Sequence, residues 1–161
     1  MNALQVIASF IASGRLHGVG IGSTLTQVDE SIHSDFIDVI DEEGLSLRRD
    51  YGFVEFYFNP GPDWVMTGGS LELHKLARNH SLSGRWREDM HVDFPQYVTW
   101  DELNEALSCL QDPLEDPKVT DQGDFMEYRF VSTKVSVLVS NDHEERDDWV
   151  GHGDVWSVSL G

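Results

Sequence analysis

Basic residues are scarce in this chain of 161 residues, which has 11 Lys and Arg against 29 Asp and Glu and a formal net charge of -18. Duplex DNA carries one negative charge per roughly 1.7 Å and would repel such a surface, so we expect no direct binding of nucleic acid. Cysteine is almost absent as well. Cys109 has no second thiol to pair with, which excludes an internal disulfide scaffold. A single thiol is ordinary in the reducing cytosol.

Long hydrophobic runs are also missing. The apolar stretch over residues 3–12 is well short of the ~20 residues that span a bilayer. A secretory signal carries its positive charge before the apolar segment, whereas the first base here is Arg15, after it. We therefore expect this stretch to be a helix of the mature protein. We also expect the protein to be cytoplasmic and to have no contact with a membrane.

Hydrophobic residues nevertheless make up 40% of the chain and aromatic residues 11%. This composition is enough for a packed core and excludes a disordered chain. The length is that of one ordinary domain, and no stretch has the composition of a linker. We expect a single domain over residues 1–161, in which residues 78–95 form a long connection.

Local patterns in the first half predict two helices followed by strands. Apolar spacing predicts a helix that begins after Asn2 and ends at Gly14. A capping-box spacing from Thr24 to Gln27 predicts a second helix, continuing to about Ser34. Alternating apolar and polar residues then predict strands at 45–49, 52–58 and 64–76, with a candidate bulge at Gly68-Gly69.

The second half opens in the same way. Another capping-box spacing, from Thr99 to Glu102, predicts a helix to about Leu110. Strands are expected at 125–132, 135–140 and 155–160. Residues 141–153 are predicted to form an exposed acidic connection.

These patterns predict an α+β fold, an antiparallel sheet with helices packed on one face. The order of elements is consistent with two tandem helix-plus-three-strand repeats, with halves 1–95 and 96–161. The alternative is a helix-then-strands order without duplication, which leads to the same fold class.

Motifs for catalysis or cofactors are not present. The glycine-rich segment 18–24 has Gly22 where a phosphate-binding loop needs lysine. Its glycines are therefore expected to end the first helix, and Ser23 or Thr24 to cap the second. His143 and His152 lie among acids but lack zinc or calcium spacing. No G-x-S-x-G nucleophile motif occurs. We expect no metal, no cofactor, no catalytic residues and no enzyme activity.

The acidic residues are strongly clustered. Segments 29–43, 101–124 and 142–148 contain 20 of the 29 acids and only two bases, Lys118 and Arg146. One interpretation is that an acidic surface favours solubility. The other is that it attracts a basic protein and speeds association. On the second interpretation, the candidate partner-binding residues are Asp38, Asp41, Glu42, Glu43, Asp142, Glu144, Glu145, Asp147, Asp148 and, as an aromatic anchor, Trp149.

Two segments carry a resemblance to known proteins: Arg48-Arg49-Asp50-Tyr51-Gly52-Phe53-Val54-Glu55-Phe56-Tyr57-Phe58 and Gly153-Asp154-Val155-Trp156-Ser157-Val158. With its small size, acidity and single cysteine, the chain resembles the immunity proteins of bacterial polymorphic-toxin systems. The tandem repeat of a helix-plus-strands unit also resembles the architecture of β-lactamase-inhibitor-like proteins. The resemblance implies a one-to-one inhibitor that covers the active site of a cognate toxin in the cell that makes it. The acidic charge favours a basic target, and nucleases are such targets because their substrate requires a positive cleft.

Two other classes of function stay open from the sequence. A different acidic interaction module, such as a DNA mimic, would carry carboxylates spaced like phosphates along one face. A small-ligand-binding protein or an enzyme would need a concave pocket with converging polar groups.

Overall fold

The computed structural model describes all residues from Met1 to Gly161 and contains five helices and ten strands. In chain order the elements are α1 (Ala3–Ser13), β1 (Arg15–Leu16), β2 (Val19–Gly20), α2 (Leu25–Ser31), β3 (Ile37–Ile40), β4 (Leu47–Asp50), β5 (Val54–Asn59), β6 (Val65–Leu71), α3 (His74–Arg78), α4 (Leu82–Met90), α5 (Trp100–Ser108), β7 (Lys118–Asp121), β8 (Phe125–Phe130), β9 (Val135–Ser140) and β10 (Val155–Leu160). None of the helices combines the length and the apolar character that crossing a membrane requires.

The predicted helix starts are confirmed. The side chain of Asn2 accepts a hydrogen bond from the backbone of Gln5, and Thr24 and Thr99 cap α2 and α5 in reciprocal capping boxes. Helix α1 ends at Gly14, whose φ of 68° is the left-handed conformation expected there. Helix α2 ends at Ser31, a few residues before the expected end.

Eight strands form one antiparallel sheet in the order β3-β4-β5-β6-β10-β9-β8-β7, and β1 pairs with β2 in a separate hairpin. This confirms the α+β class. Each half of the chain supplies four neighbouring strands, so the expectation of three per half was wrong. Strands β3 and β7 were missed because they are short edge strands whose residues are all exposed, which leaves no buried alternation to detect.

The centre of the sheet explains the two adjacent glycines. Thr67 is an extra residue between the pairs Tyr57–Gly68 and Phe58–Met66, so the predicted bulge is present one residue earlier than expected. A Cβ atom on Gly68 would lie 2.6 Å from the carbonyl oxygen of Leu160. Strand β6 ends at Leu71, five residues before the expected end.

The core lies between α1, α5 and one face of the sheet. Buried residues of α1, such as Phe10 and Ile11, share one apolar cluster with Leu103 of α5 and with inward-facing strand residues such as Phe56 and Val137. Removing this surface from water stabilises the fold by about 25 cal/mol per Å² of apolar area. The other face of the sheet carries mainly polar side chains from Arg48, Tyr57, Ser70, Ser136, Glu127 and Ser159.

The connection expected at 78–95 contains the helix α4, which the sequence analysis missed. Leu82, Trp86 and Met90 recur every four residues and pack on the core, so the helical signal was present in the sequence. Trp86 is fully buried and lies edge-on to Tyr51 and Phe53.

Three buried polar atoms in this aromatic cluster have no hydrogen-bond partner: Nε2 of His17, the hydroxyl of Tyr51 and Nε1 of Trp86. The imidazole of His17 lies 5.7 Å from the Trp86 ring. Burial lowers the pKa of His17 from its ordinary value of 6.5 and raises the pKa of Tyr51 to about 12. The cluster therefore favours the uncharged form of both groups.

The lowered pKa of His17 makes stability depend on pH. In the unfolded chain His17 regains its ordinary pKa of 6.5 and binds a proton first, so the free energy of unfolding falls as the pH drops below that value. We predict that His17→Asn reduces the loss of unfolding free energy between pH 7 and pH 5.5, measured by urea denaturation. Asparagine suits this position because His17 has a φ of 50°.

The matched control is His143→Asn, since His143 is exposed. If His17→Asn and His143→Asn change the pH dependence equally, the buried state of His17 does not govern it.

Candidate interaction site

The acidic loop at 141–154 joins β9 to β10, and the β7–β8 turn lies beside its first residue. The backbone N–H of Asn141 donates to the carbonyl oxygen of Asp124 at 2.8 Å, and the Asn141 side-chain amide donates to the carbonyl oxygen of Gly123 at 3.1 Å. This contact places the β7–β8 turn, which carries Asp121 and Asp124, beside the start of the loop.

The last residues of the same loop contact the start of α5. The backbone N–H of Trp100 donates to the carbonyl oxygen of Gly153 at 2.8 Å, and Thr99 forms an antiparallel bridge with Asp154. Parts of two acidic segments of the sequence, 101–124 and 142–148, therefore meet at one place. We call this place the acidic corner; it consists of Asp101, Glu102, Asp121, Asp124, Asp142, Glu144, Glu145, Asp147 and Asp148.

The loop of the acidic corner is held by a buried carboxylate, Asp154, whose side chain is only 4% exposed. Asp154 accepts two hydrogen bonds from the guanidinium of Arg146 and one from the backbone N–H of Gly151, the last at 3.1 Å. The Arg146 guanidinium also lies 4.2 Å from the centre of the Tyr97 ring. These contacts fix the two ends of the segment that carries Asp147 and Asp148.

Arg146 does not offset the acids that surround it. Segments 101–124 and 142–148 contain one other base, Lys118, which lies opposite Arg129 at the end of β7 away from Asp121. The hydrogen bond from Arg146 to Asp154 raises the pKa of Arg146 above its ordinary value and commits its positive charge to a buried partner. None of the nine carboxylates of the corner forms a salt bridge.

A groove of about 340 Å³ opens beside the acidic corner, on the side of the sheet that faces α5. The rings of Trp100 and Tyr128 stack along it with their centres 4.0 Å apart. Asp101, Asn141 and His152 line the same groove. A carboxylate beside aromatic rings suits a lysine or arginine side chain, since cations are attracted to both. Trp100 and Tyr128 were not predicted as site residues because they lie 28 residues apart in the chain.

The ring of Trp149, the predicted aromatic anchor, is packed on one side and accessible on the other. Its ring lies edge-on to Trp156 at 5.7 Å, and the guanidinium of Arg78 lies 4.4 Å from its centre. The ring is half-buried and also lines an open groove of about 440 Å³ together with His74 and Lys75. Trp149 thus packs the loop onto the sheet and keeps part of its surface accessible.

The remaining predicted binding residues lie at the opposite end of the strands. The β3–β4 hairpin shares its end of the sheet with the C-terminus of β10, whereas the β9–β10 loop lies at the N-terminus of that strand. Asp38, Asp41, Glu42 and Glu43 are therefore not brought together with the acidic corner. The chain's carboxylates do not form one continuous face.

Two of these four residues already have structural partners. The carboxylate of Asp38 accepts two hydrogen bonds, both at 2.9 Å, from the guanidinium of Arg49. Burial alone would lower the pKa of Arg49, but hydrogen bonds from Arg49 to Asp38 and Asp29 raise it above its ordinary value. Asp41 accepts the backbone N–H groups of Leu45 and Ser46 within the hairpin.

No group of three or more His, Cys, Asp or Glu side chains is arranged to hold a metal ion. His152 instead bonds through its ring to the carbonyl oxygen of Asp142, at 2.8 Å, and its backbone N–H donates to the carbonyl oxygen of Glu144. These bonds join the end of the loop to its beginning, so His152 stabilises the loop.

Comparisons with protein-family models, with curated proteins and with solved structures found no significant match in any of the three.

The contacts of Asp154 predict its role in stability. Asp154→Asn keeps the shape of the side chain but removes the charge that pairs with Arg146, so we expect the free energy of unfolding to fall by about 1–3 kcal/mol. Urea denaturation measures this change, and backbone hydrogen exchange is expected to become faster across residues 142–153.

Asp147→Asn is the matched control, because Asp147 is exposed in the same loop. It is expected to change the unfolding free energy by less than about 0.5 kcal/mol. Equal effects of the two substitutions would contradict an anchoring role for Asp154.

Proposed function

We propose that this chain is an immunity protein that binds and neutralises a cognate bacterial toxin, a basic nuclease, by covering its active site in the cytoplasm. It acts by one-to-one binding and not by catalysis. The observation that carries the proposal is the acidic corner, where separate chain segments present nine carboxylates that form no salt bridge, while Arg146 of the same loop is paired with Asp154.

The electrostatics of the corner suit rapid capture of a cationic protein. Opposed charge patches raise association rate constants toward roughly 10⁸–10⁹ M⁻¹s⁻¹ at low salt. A nuclease is a natural match, because its own substrate requires a positive cleft. Since Asp154 and Arg146 hold the loop, less conformational freedom is lost when the partner binds.

The groove beside the corner supports a specific anchor. Binding energy in protein interfaces is concentrated in a few side chains that fill pockets near the centre of the contact. A lysine or arginine of the partner would lie against Trp100 and Tyr128 with its charge near Asp101. The surrounding carboxylates would then favour approach of the partner, and the groove would fix its position.

The distribution of the acids favours this function over a DNA mimic. A mimic needs carboxylates spaced like phosphates along one face. The clustered carboxylates of this chain lie instead in the acidic corner and in the β3–β4 hairpin, at opposite ends of the strands. A local contact with one cationic protein uses the corner without requiring such a row.

The direct test is to capture the partner with the intact chain from the cells that encode it, and then to express the captured protein alone. We expect the captured protein to be basic, to stop growth when expressed alone, and to be harmless when co-expressed with this chain. A captured protein that is harmless alone, or whose toxicity co-expression does not relieve, would contradict the proposal.

Charge neutralisation tests the role of the acidic corner. We predict that the double variant Asp147→Asn/Asp148→Asn associates with the captured partner more slowly, on the order of a few-fold at low salt, and that its association rate depends less steeply on ionic strength. Stopped-flow fluorescence at several salt concentrations measures both effects.

A variant with the same change in net charge is the control. Glu88 and Asp93 are exposed and lie on α4 and in the connection after it, outside the corner. Glu88→Gln/Asp93→Asn is expected to change the association rate much less. Equal slowing in the two variants would mean that net charge, and not the corner, guides the partner.

A further inference from the structure

Strand β3 forms one edge of the large sheet, and its apolar side chains are uncovered. Ile37 is 71% exposed, Val39 47% and Ile40 53%. Proteins usually protect an edge strand with lysine, proline or a covering element. The opposite edge, β7, begins with Lys118 and carries Val119 as its only large apolar side chain. Strand β3 has no Lys, Arg or Pro.

The register of the β3–β4 pair shows which backbone groups of the edge are free. The N–H of Asp41 donates to the carbonyl oxygen of Ser46, and the same ladder pairs Val39 with Arg48 and Ile37 with Asp50. Hydrogen-bonded pairs alternate along an antiparallel ladder, so Val39 and Ile37 direct their backbone groups toward β4.

The residues between them direct their backbone groups away from the sheet. The N–H and C=O groups of Asp38 and Ile40 therefore point outward. They lie about 7 Å apart along the strand, the spacing at which an added antiparallel strand forms its hydrogen bonds. The edge thus offers two pairs of backbone groups in register for one more strand.

Charge determines which strand fits this edge. Segment 29–43 contains seven acids and no base. Arg49 binds Asp29 and Asp38, and Arg85 binds Asp35, but Glu42 and Glu43 have no basic partner. A second copy of the chain would bring the same acids against these, and like charges oppose such pairing. A strand with lysine or arginine would complement them.

We propose that the free edge of β3 binds an extended segment bearing lysine or arginine, which adds a ninth strand to the sheet. The partner's backbone would bond to Asp38 and Ile40, and its basic side chains would lie near Glu42 and Glu43. This mode of recognition obtains affinity from main-chain hydrogen bonds and specificity from side chains. The inference does not depend on the acidic corner, because β3 and the corner lie at opposite sides of the molecule. It rests on the proposed function only in that both require a positively charged partner.

The test uses a ten-residue peptide that alternates lysine and valine, with a glutamate–valine peptide as its charge control. Each is added to the full-length, isotope-labelled chain, and amide hydrogen exchange is followed by NMR. The lysine peptide is expected to slow exchange at the amides of Asp38 and Ile40 by at least about tenfold, and the glutamate peptide to leave both unchanged. Protection confined to the acidic corner, or no protection at Asp38 and Ile40, would overturn the proposal.

Two variants of Ile40 separate backbone pairing from apolar contact. Ile40→Pro removes the outward N–H and leaves the bonds to β4, and proline is tolerated on such edges. Ile40→Thr retains the N–H with a similar β-branched shape. The proline variant is expected to lose protection at Asp38, and the threonine variant to keep it. Equal protection in the two variants would contradict strand addition.

A charge-reversed variant keeps the test decisive if the proline variant is unstable. Glu42→Lys/Glu43→Lys is expected to reverse the preference, so that the glutamate peptide protects Asp38 and Ile40 and the lysine peptide does not. An unchanged preference would overturn the proposal. Self-association of the unmodified chain in sedimentation experiments, accompanied by slowed amide exchange at Asp38, would also overturn the proposal. Such a result would identify a second copy of the chain as the occupant of the edge. None of these readouts involves the captured toxin, so their failure leaves the role of the acidic corner to its own experiment.

Discussion

The pairing of β6 with β10 is the interaction on which the large sheet depends, because it is the only strand pairing between the two halves of the chain. The two backbones come close at this seam, where Gly68 lies under the carbonyl oxygen of Leu160 with no room for a side chain. Without the seam, each half would have a four-stranded sheet with an additional exposed edge. The helices α1 and α5 contact each other across the same division and cover the seam on one face.

The proposed interaction site follows from this arrangement. Since β10 lies between β6 and β9, the loop that enters β10 also lies beside the β7–β8 turn and the start of α5. Acids that are far apart in the chain thereby become neighbours, and their mutual repulsion costs stability. The buried carboxylate of Asp154 and the guanidinium of Arg146 hold the loop in place against that repulsion.

The two unpaired edges of the sheet are unlike one another. Edge β7 carries a lysine and few apolar atoms, in the way that proteins normally prevent further pairing. Edge β3 carries three exposed apolar side chains and is followed by unpaired acids. A cationic partner that contacted both the corner and this edge would have to reach across several strands. The two contacts are therefore best regarded as separate sites on one molecule.

The fold class and several local elements could be predicted from the residues alone. Capping boxes at Thr24 and Thr99 and the left-handed end at Gly14 were predicted correctly because each depends on hydrogen bonds between residues only a few positions apart. Helix α4 was missed although Leu82, Trp86 and Met90 carried a helical spacing. The short edge strands were missed because exposed residues leave no alternation.

Which acids are neighbours depends on contacts between segments that are distant in the chain. The sequence grouped Asp38, Asp41, Glu42 and Glu43 with the acids of 142–148 as one binding surface, yet strand pairing puts them at opposite ends of the sheet. The same pairing brought Asp124 to Asn141, and Trp100 to Gly153. Acidic composition is a property of the chain, but a charged site depends on strand register and on hydrogen bonds between distant segments, which no local pattern of residues encodes.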